Sequence, residues 1–164
     1  MQFTPLAIPE VILVEPKTFR DDRGFFLESY HAERFDAGGI HCTFPQDNHS
    51  RSVRGTLRGL HYQTRPGQAK LVRCVRGTIW DVAVDIRPSS PTFGRWVAQE
   101  LSEDNQRMLF VPIGFAHGFV VLSDLADVLY KCRRVYDAAL ESGVAWNQPQ
   151  IAGDWPVHDP ILSQ

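Results

Sequence analysis

In TIWDVAVDI (78–86), Trp80, Val82, Val84 and Ile86 fall on one face of an extended segment, and Asp81, Ala83 and Asp85 fall on the other. This is the period-two pattern of a β-strand. KLVRCVRG (70–77) alternates in the same way and stops at Gly77. Short runs at VILVE (11–15), FFLESY (25–30), WVAQELS (96–102), RMLFVP (107–112), HGFVVLS (117–123) and VLYKCRRVY (128–136) read as further strands. So do FPQDNHS (44–50) and TLRGLHYQ (56–63), on either side of a polar loop. TFRDDRG (18–24) and PSSPTFG (88–94) read as turns. AERFDAG (32–38) is the best helix candidate, short, charged and stopped by Gly38 and Gly39. The tail from Asp137 is richer in turns. Regular short strands with no repeat or linker predict an all-β sandwich or barrel, with residues 1–164 as one domain.

Two carboxylates on one face of so apolar a strand are unusual. The face carrying Asp81 and Asp85 either meets solvent or lines a polar cavity.

Composition narrows the function classes. Hydrophobic residues make up 43% of the chain, charged residues 22%, and the formal net charge is −2. A general nucleic-acid or membrane-surface binder carries a basic excess, which is absent here. A local basic pocket for one small anion is still compatible. No apolar run approaches the roughly 20 residues that span a bilayer. The opening MQFTPLAIPEVILVEPK lacks the basic-then-apolar order of a signal peptide. Cys42, Cys74 and Cys132 are odd in number and form no CxxC pair. They read as reduced, buried thiols of a cytoplasmic protein.

The densest polar constellation runs from Gln46 to Lys70. In TLRGLHYQ, Arg58 and His61 share a face only if Gly59 marks a bulge. A lone histidine in a strand is usually a hydrogen-bonded structural residue, so His61 proves little by itself. His117 follows a Pro- and Gly-containing turn in VPIGFAHGF. PxGxxH (Pro112, Gly114, His117) and GLHYQ resemble the two halves of the cupin signature. Gln63 stands where a metal cupin has its second histidine, and no Glu follows at ligand spacing. A metal site normally needs three or more protein ligands. The expectation is a cupin-type jelly-roll β-barrel without a metal and with short peripheral helices.

Several stretches extend the resemblance. DDRGFFLESY (21–30), QDNHS (46–50), LRGLHYQ (57–63), KLVRCVRGTIWDVAVDIRPSSPTFGRW (70–96), VPIGFAHGFVVLS (111–123) and LYK (129–131) are similar, in order and spacing, to the dTDP-4-dehydrorhamnose 3,5-epimerase family. That resemblance implies a cofactor-free isomerase. It would invert carbons 3 and 5 of dTDP-4-keto-6-deoxy-D-glucose in dTDP-L-rhamnose biosynthesis. By the same resemblance His61 is the base, Tyr130 returns a proton on the opposite face, and Lys70 stands near the enolate oxygen. His117 and Asp81 match supporting pocket residues. Arg23 and Arg58 match phosphate contacts, and Gln46 and Asn48 match residues around the sugar and diphosphate. Phe19, Phe26 and Glu28 match the region that reaches the thymidine. The family supplies that region from a partner subunit, so a homodimer is implied. The motifs equally fit a single-site epimerase of a related deoxysugar, and a non-catalytic sugar-nucleotide-binding cupin is the reading from another class.

The sequence departs from the family pattern at its C-terminal segment, at Gln148 and Gln150, and at Val135. Its base histidine pairs with an aspartate in a C-terminal segment like LSxKD, whereas this sequence reads PILSQ to Gln164. A chain ending there is expected to turn over slowly, unless another carboxylate such as Asp81 substitutes. Gln148 and Gln150 stand where acidic residues are frequent, with no catalytic consequence expected. Val135 stands where an aromatic is frequent, so packing on the base or sugar is expected to differ.

Overall fold

The alternation resolves into strands in a computed structural model that describes residues 1–149 and 154–162. In chain order they are β1 (Gln2–Pro5), β2 (Ile12–Glu15), β3 (Thr18–Asp21) and β4 (Gly24–Leu27), then helix α1 (Ala32–Ala37). β5 (Gln46–Val53), β6 (Leu57–Gln63), β7 (Lys70–Arg76), β8 (Thr78–Asp85) and β9 (Trp96–Ser102) follow. The chain continues through β10 (Met108–Val111), β11 (Phe115–Val121), β12 (Leu125–Cys132), a 3-10 turn at Ala138–Leu140 and β13 (Glu141–Gly143). One sheet has the order β1-β2-β10-β7-β12-β5 and a second the order β13-β6-β11-β8-β9, while β3 and β4 form a separate hairpin. All these strand pairs are antiparallel. The two sheets face each other across one core, where Val72, Cys74 and Val128 meet Ile79, Ala83 and Phe119. This is the cupin-type jelly roll that the two signature halves predict.

Strand β8 answers the question of its two faces. Ile79 and Ala83 point into the core, so Asp81 and Asp85 point inward with them. The apolar face points out of the barrel. It is largely covered: Val82 and Val84 are buried and Trp80 and Ile86 partly so, because Leu60, Ala116 and Trp96 flank the face and Val144 and Trp155 of the C-terminal segment pack over it. Inside, Asp85 is completely buried. It accepts hydrogen bonds from Arg87 Nε (2.9 Å) and Nη2 (2.7 Å), Ser90 Oγ (2.6 Å) and Thr92 Oγ1 (2.6 Å). A carboxylate so surrounded escapes the cost of burying a lone charge.

The outer face of the six-stranded sheet is covered at one end. Phe35 of α1 packs there with Ile40 against Ile12, Val14, Met108 and Phe110. A six-residue helix is too short to persist by propensity. Burial of Phe35, worth about 1.5–3 kcal/mol, holds α1 in place.

The sequence reading needs correction at several elements. TFRDDRG is not all turn, since Thr18–Asp21 pairs with Gly24–Leu27. Only Asp22 and Arg23 make the turn, and Gly24 leaves it at φ 128°, a conformation that favours glycine. FFLESY is strand only as far as Leu27, and β1 and β13 had no counterpart in the pattern. The thiols of Cys74 and Cys132 are buried as expected, but Cys42 is only partly so. No described helix is long and apolar enough to cross a membrane.

Candidate active site

The site begins at a glycine. Gly59 has φ +124°, and a Cβ there would stand 2.5 Å from Gly118 Cα and 2.6 Å from the His117 carbonyl oxygen. Only glycine allows β6 and β11 to approach so closely. Beside it the register of the two strands shifts between His117 and Phe119. Strict alternation is thereby broken, and Arg58 and His61 both line one cavity of about 450 Å³.

That cavity has two walls. β6 and β11 supply Arg58, His61, His117 and Phe119; β5, β7 and β12 supply Gln46, Asn48, Ser50, Lys70 and Tyr130 from the facing sheet. Tyr136 and Glu141, from the chain after β12, complete the rim. His61 lies opposite His117 across the β6–β11 pair. Tyr130 lies opposite Asn48 on one side and Val72 on the other.

The electrostatics differ from residue to residue. His117 is buried, with Nε2 2.9 and 3.0 Å from the two oxygens of buried Asp81. This pair overturns Asp81 as a stand-in partner for His61. β11 lies between β8 and β6 in the sheet, so the Asp81 carboxylate meets the histidine of β11 first. His61 instead has Glu141 as its neighbour, with Nδ1 3.9 Å from Oε1. Burial pushes the His61 pKa below its ordinary value; Lys70, His117 and Arg58 push the same way, and Glu141 opposes them. The imidazole is therefore neutral near pH 7 and able to take a proton. Burial also lowers the Lys70 pKa. Lys70 makes no hydrogen bond or ion pair among the described residues; its Nζ lies 5.8 Å from the centre of the Tyr130 ring. Burial raises the Tyr130 pKa, which keeps the phenol protonated. Arg58 is held by one edge, Nε donating to buried Ser52 Oγ at 2.9 Å. Gln46 Nε2 donates to Asn48 Oδ1 at 3.0 Å.

The chemistry open to such a site is proton transfer next to a group that becomes an anion. A neutral imidazole faces a protonated phenol across the cavity. Lys70, without a counter-ion among the described residues, stands on the phenol's wall, where its charge would favour a developing oxyanion.

Other predicted residues are not brought here by this chain. Phe19 and Phe26 lie on the β3–β4 hairpin, 53% and 69% exposed. Among the described residues Arg23 pairs only with Asp21, at 2.6 Å. Glu28 is bound to Arg34 at 2.8 Å. Val135 is exposed, as is Gln148, and Gln150 lies outside the described residues. Conversely, Ser50, Tyr136 and Glu141 were missed. Ser50 was within reach, since QDNHS places Gln46, Asn48 and Ser50 on one face, and its buried hydroxyl has no partner among the described residues. Nothing marked Tyr136 at the end of VLYKCRRVY, or Glu141 in the turn-rich tail.

The family model for dTDP-4-dehydrorhamnose 3,5-epimerase matches residues 5–164. A Pseudomonas aeruginosa protein named dTDP-4-dehydrorhamnose 3,5-epimerase is 55% identical, over 100% of this chain and 92% of its own. One of the same name from Shigella flexneri is 54% identical, over 99% of this chain and 91% of its own. The crystal structure of dTDP-6-deoxy-D-glucose-3,5-epimerase from Legionella pneumophila, in complex with dTDP-4-keto-L-rhamnose, superposes with a TM-score of 0.95 at 48% identity. It covers 99% of this chain and 87% of that one. A family model matching nearly the whole chain, with a close relative along its whole length, places this protein in the dTDP-4-dehydrorhamnose 3,5-epimerase family.

Proposed function

We infer that the protein inverts carbons 3 and 5 of dTDP-4-keto-6-deoxy-D-glucose, giving dTDP-4-keto-L-rhamnose for dTDP-L-rhamnose biosynthesis. The C4 ketone acidifies the hydrogens on both neighbouring carbons. His61 takes one of them; the C–H bond breaks, and its electron pair passes into an enolate. Lys70 offers that oxygen a fixed positive charge. Tyr130 then protonates the same carbon from the other side, and the next cycle starts once water has exchanged protons with both side chains. His117 and Asp81 hold the wall beside His61, and Gln46 and Asn48 line the sugar's path. Arg58, held at Nε by Ser52, turns its remaining donors to the diphosphate.

The observation that carries this reading is the placing of His61 and Tyr130 on opposite sheets of one cavity, with Lys70 in it unpaired among the described residues. An inversion needs a base and an acid on opposite faces of the sugar. We further infer a cytoplasmic homodimer in which the β3–β4 hairpin of one subunit brings Phe19, Arg23, Phe26 and Glu28 to the nucleotide end of its partner's cavity. The exposed aromatic hairpin supports it, because its three exposed phenylalanines, Phe19, Phe25 and Phe26, call for a surface to cover them.

The test is incubation with dTDP-4-keto-6-deoxyglucose in heavy water, followed by NMR. Deuterium is expected at both carbon 3 and carbon 5. Label at one carbon would make the protein a single-site epimerase, and bound substrate without label would make it a binding protein. His61→Ala is expected to abolish exchange while leaving dTDP affinity within about twofold, because it removes a transition-state contact only. Near-wild-type exchange in that variant would assign the base elsewhere.

A further inference from the structure

An amide side chain donates from one end and accepts at the other, so its partners fix which way it points. On the wall formed by β5 and β12 that choice starts from a backbone N–H, which can only donate. Tyr136 N donates to Gln46 Oε1 at 2.7 Å. Gln46 therefore turns its Nε2 the other way, where it donates to Asn48 Oδ1 at 3.0 Å. With its oxygen so occupied, Asn48 turns its NH2 group toward β12. One proton of that group goes to Cys132 Sγ, at 3.6 Å. The other is left for Tyr130, which stands directly opposite Asn48 across the β5–β12 pair. Burial raises the Tyr130 pKa, and hydrogen bonding from Asn48 works against that rise. The titratable groups facing the phenol are Cys132 on its own strand, Arg58 on β6, Glu141 on β13, Lys70 on β7 and Tyr136 at the rim.

We propose that Asn48 is a positioning residue for Tyr130, presenting an amide N–H to the phenol oxygen so that the phenol keeps its own proton for the sugar, and that Gln46 and the Tyr136 N–H set its orientation. This role rests on the function inferred above. A phenol beside an acceptor spends its proton on that acceptor. Beside a donor it can only accept, and its O–H is left to point into the cavity. In the step served, the phenol O–H bond breaks and the proton goes to the enolate carbon, whose electron pair forms the new C–H bond. The phenolate left behind keeps the Asn48 N–H, and that hydrogen bond strengthens as the charge develops. Water then returns a proton to the oxygen. Were the Asn48 amide turned round, its oxygen would hold the phenol proton back from the sugar.

The experiment reverses the amide without altering it. Gln46→Glu keeps the shape but only accepts, so it still receives the Tyr136 N–H and no longer donates to Asn48. Asn48 is then expected to turn its NH2 toward the new carboxylate and its Oδ1 toward the phenol. Asn48→Asp, the second variant, puts an acceptor against the phenol directly. Two quantities are measured on the full chain. One is the NMR resonance of the isotope-labelled Tyr130 ζ carbon at neutral pH, assigned with Tyr130→Phe, which moves downfield when the phenol donates its proton. The other is the ratio of inversion to exchange with retained configuration in heavy water, because His61 can return deuterium to the face it came from without Tyr130. Both variants are expected to move the resonance downfield and to lower the ratio by about tenfold or more. An unmoved resonance overturns the proposal. An unchanged ratio overturns it too, and with a raised KM would make Gln46 and Asn48 ligands of the sugar only. The resonance needs no substrate, so a wild type that neither inverts nor exchanges counts against the inferred function and is read separately from it.

Discussion

Asp81 and Asp85 stand four residues apart on one face of β8, yet they do different work. Asp81 meets His117 at the cavity, whereas Asp85 is closed over by Arg87, Ser90 and Thr92. Burial alone would raise the Asp85 pKa, but the donors outweigh it and hold the carboxyl well below the usual carboxylate range. Asp127 behaves alike: Arg51 and His49 bring its pKa down to about 2, against the opposing effect of burial. Both folded-state values are depressed, so the stability they contribute is full above about pH 4, the unfolded value. It is lost as pH falls toward the folded values. Melting curves between pH 7 and pH 3 are expected to show Tm falling mainly below pH 4. Arg87→Met would strand the Asp85 charge, at a cost of about 3 kcal/mol. At this chain length that lowers Tm by about 6–12 °C, readable by calorimetry. The alternation alone put both aspartates on one face. It could not separate their roles, because their partners come from a different strand and from the turn after β8.

At the scale of elements, the β6–β11 contact decides whether the site exists. A side chain at residue 59 would meet Gly118 and the His117 carbonyl head-on, at a φ that suits only glycine. Gly59→Ala is expected to cost about 1–3 kcal/mol through backbone strain, and to lower kcat further by pushing His61 away from His117. Proton exchange in heavy water and a thermal melt on the same sample would check both effects. The bulge was legible as a condition, since Arg58 and His61 could share a cavity only if Gly59 broke the alternation. The β3–β4 hairpin was not legible. Its strands are four residues each, and a cluster of charges between two phenylalanines reads more readily as a turn. β13 lies beyond any pattern, because three residues carry no periodicity and only pairing with β6 makes them a strand.

At the scale of the molecule, the hairpin and the cavity belong to different neighbourhoods of one chain, and the proposed dimer joins them. Mixing subunits tests this. His61→Ala and Arg23→Ala are each expected to be weak alone. Mixed at equal amounts and allowed to exchange, half the dimers carry both changes on different chains and one intact site each, returning about a quarter of wild-type turnover. No recovery would place Arg23 at its own chain's site or at none. Partner contributions cannot be read from motif order, which runs along one chain and does not say which copy is meant. The outer face of the five-stranded sheet has a simpler consequence. Trp80, Trp96 and Trp155 pack there, and Trp146 lies edge-on to Trp155 with ring centres 6.4 Å apart. These are all four tryptophans of the chain, and none lines the cavity. Intrinsic fluorescence is therefore a gauge of how firmly the C-terminal segment is seated. Filling the cavity with dTDP should leave the emission maximum nearly still, whereas loosening that segment should shift it to the red.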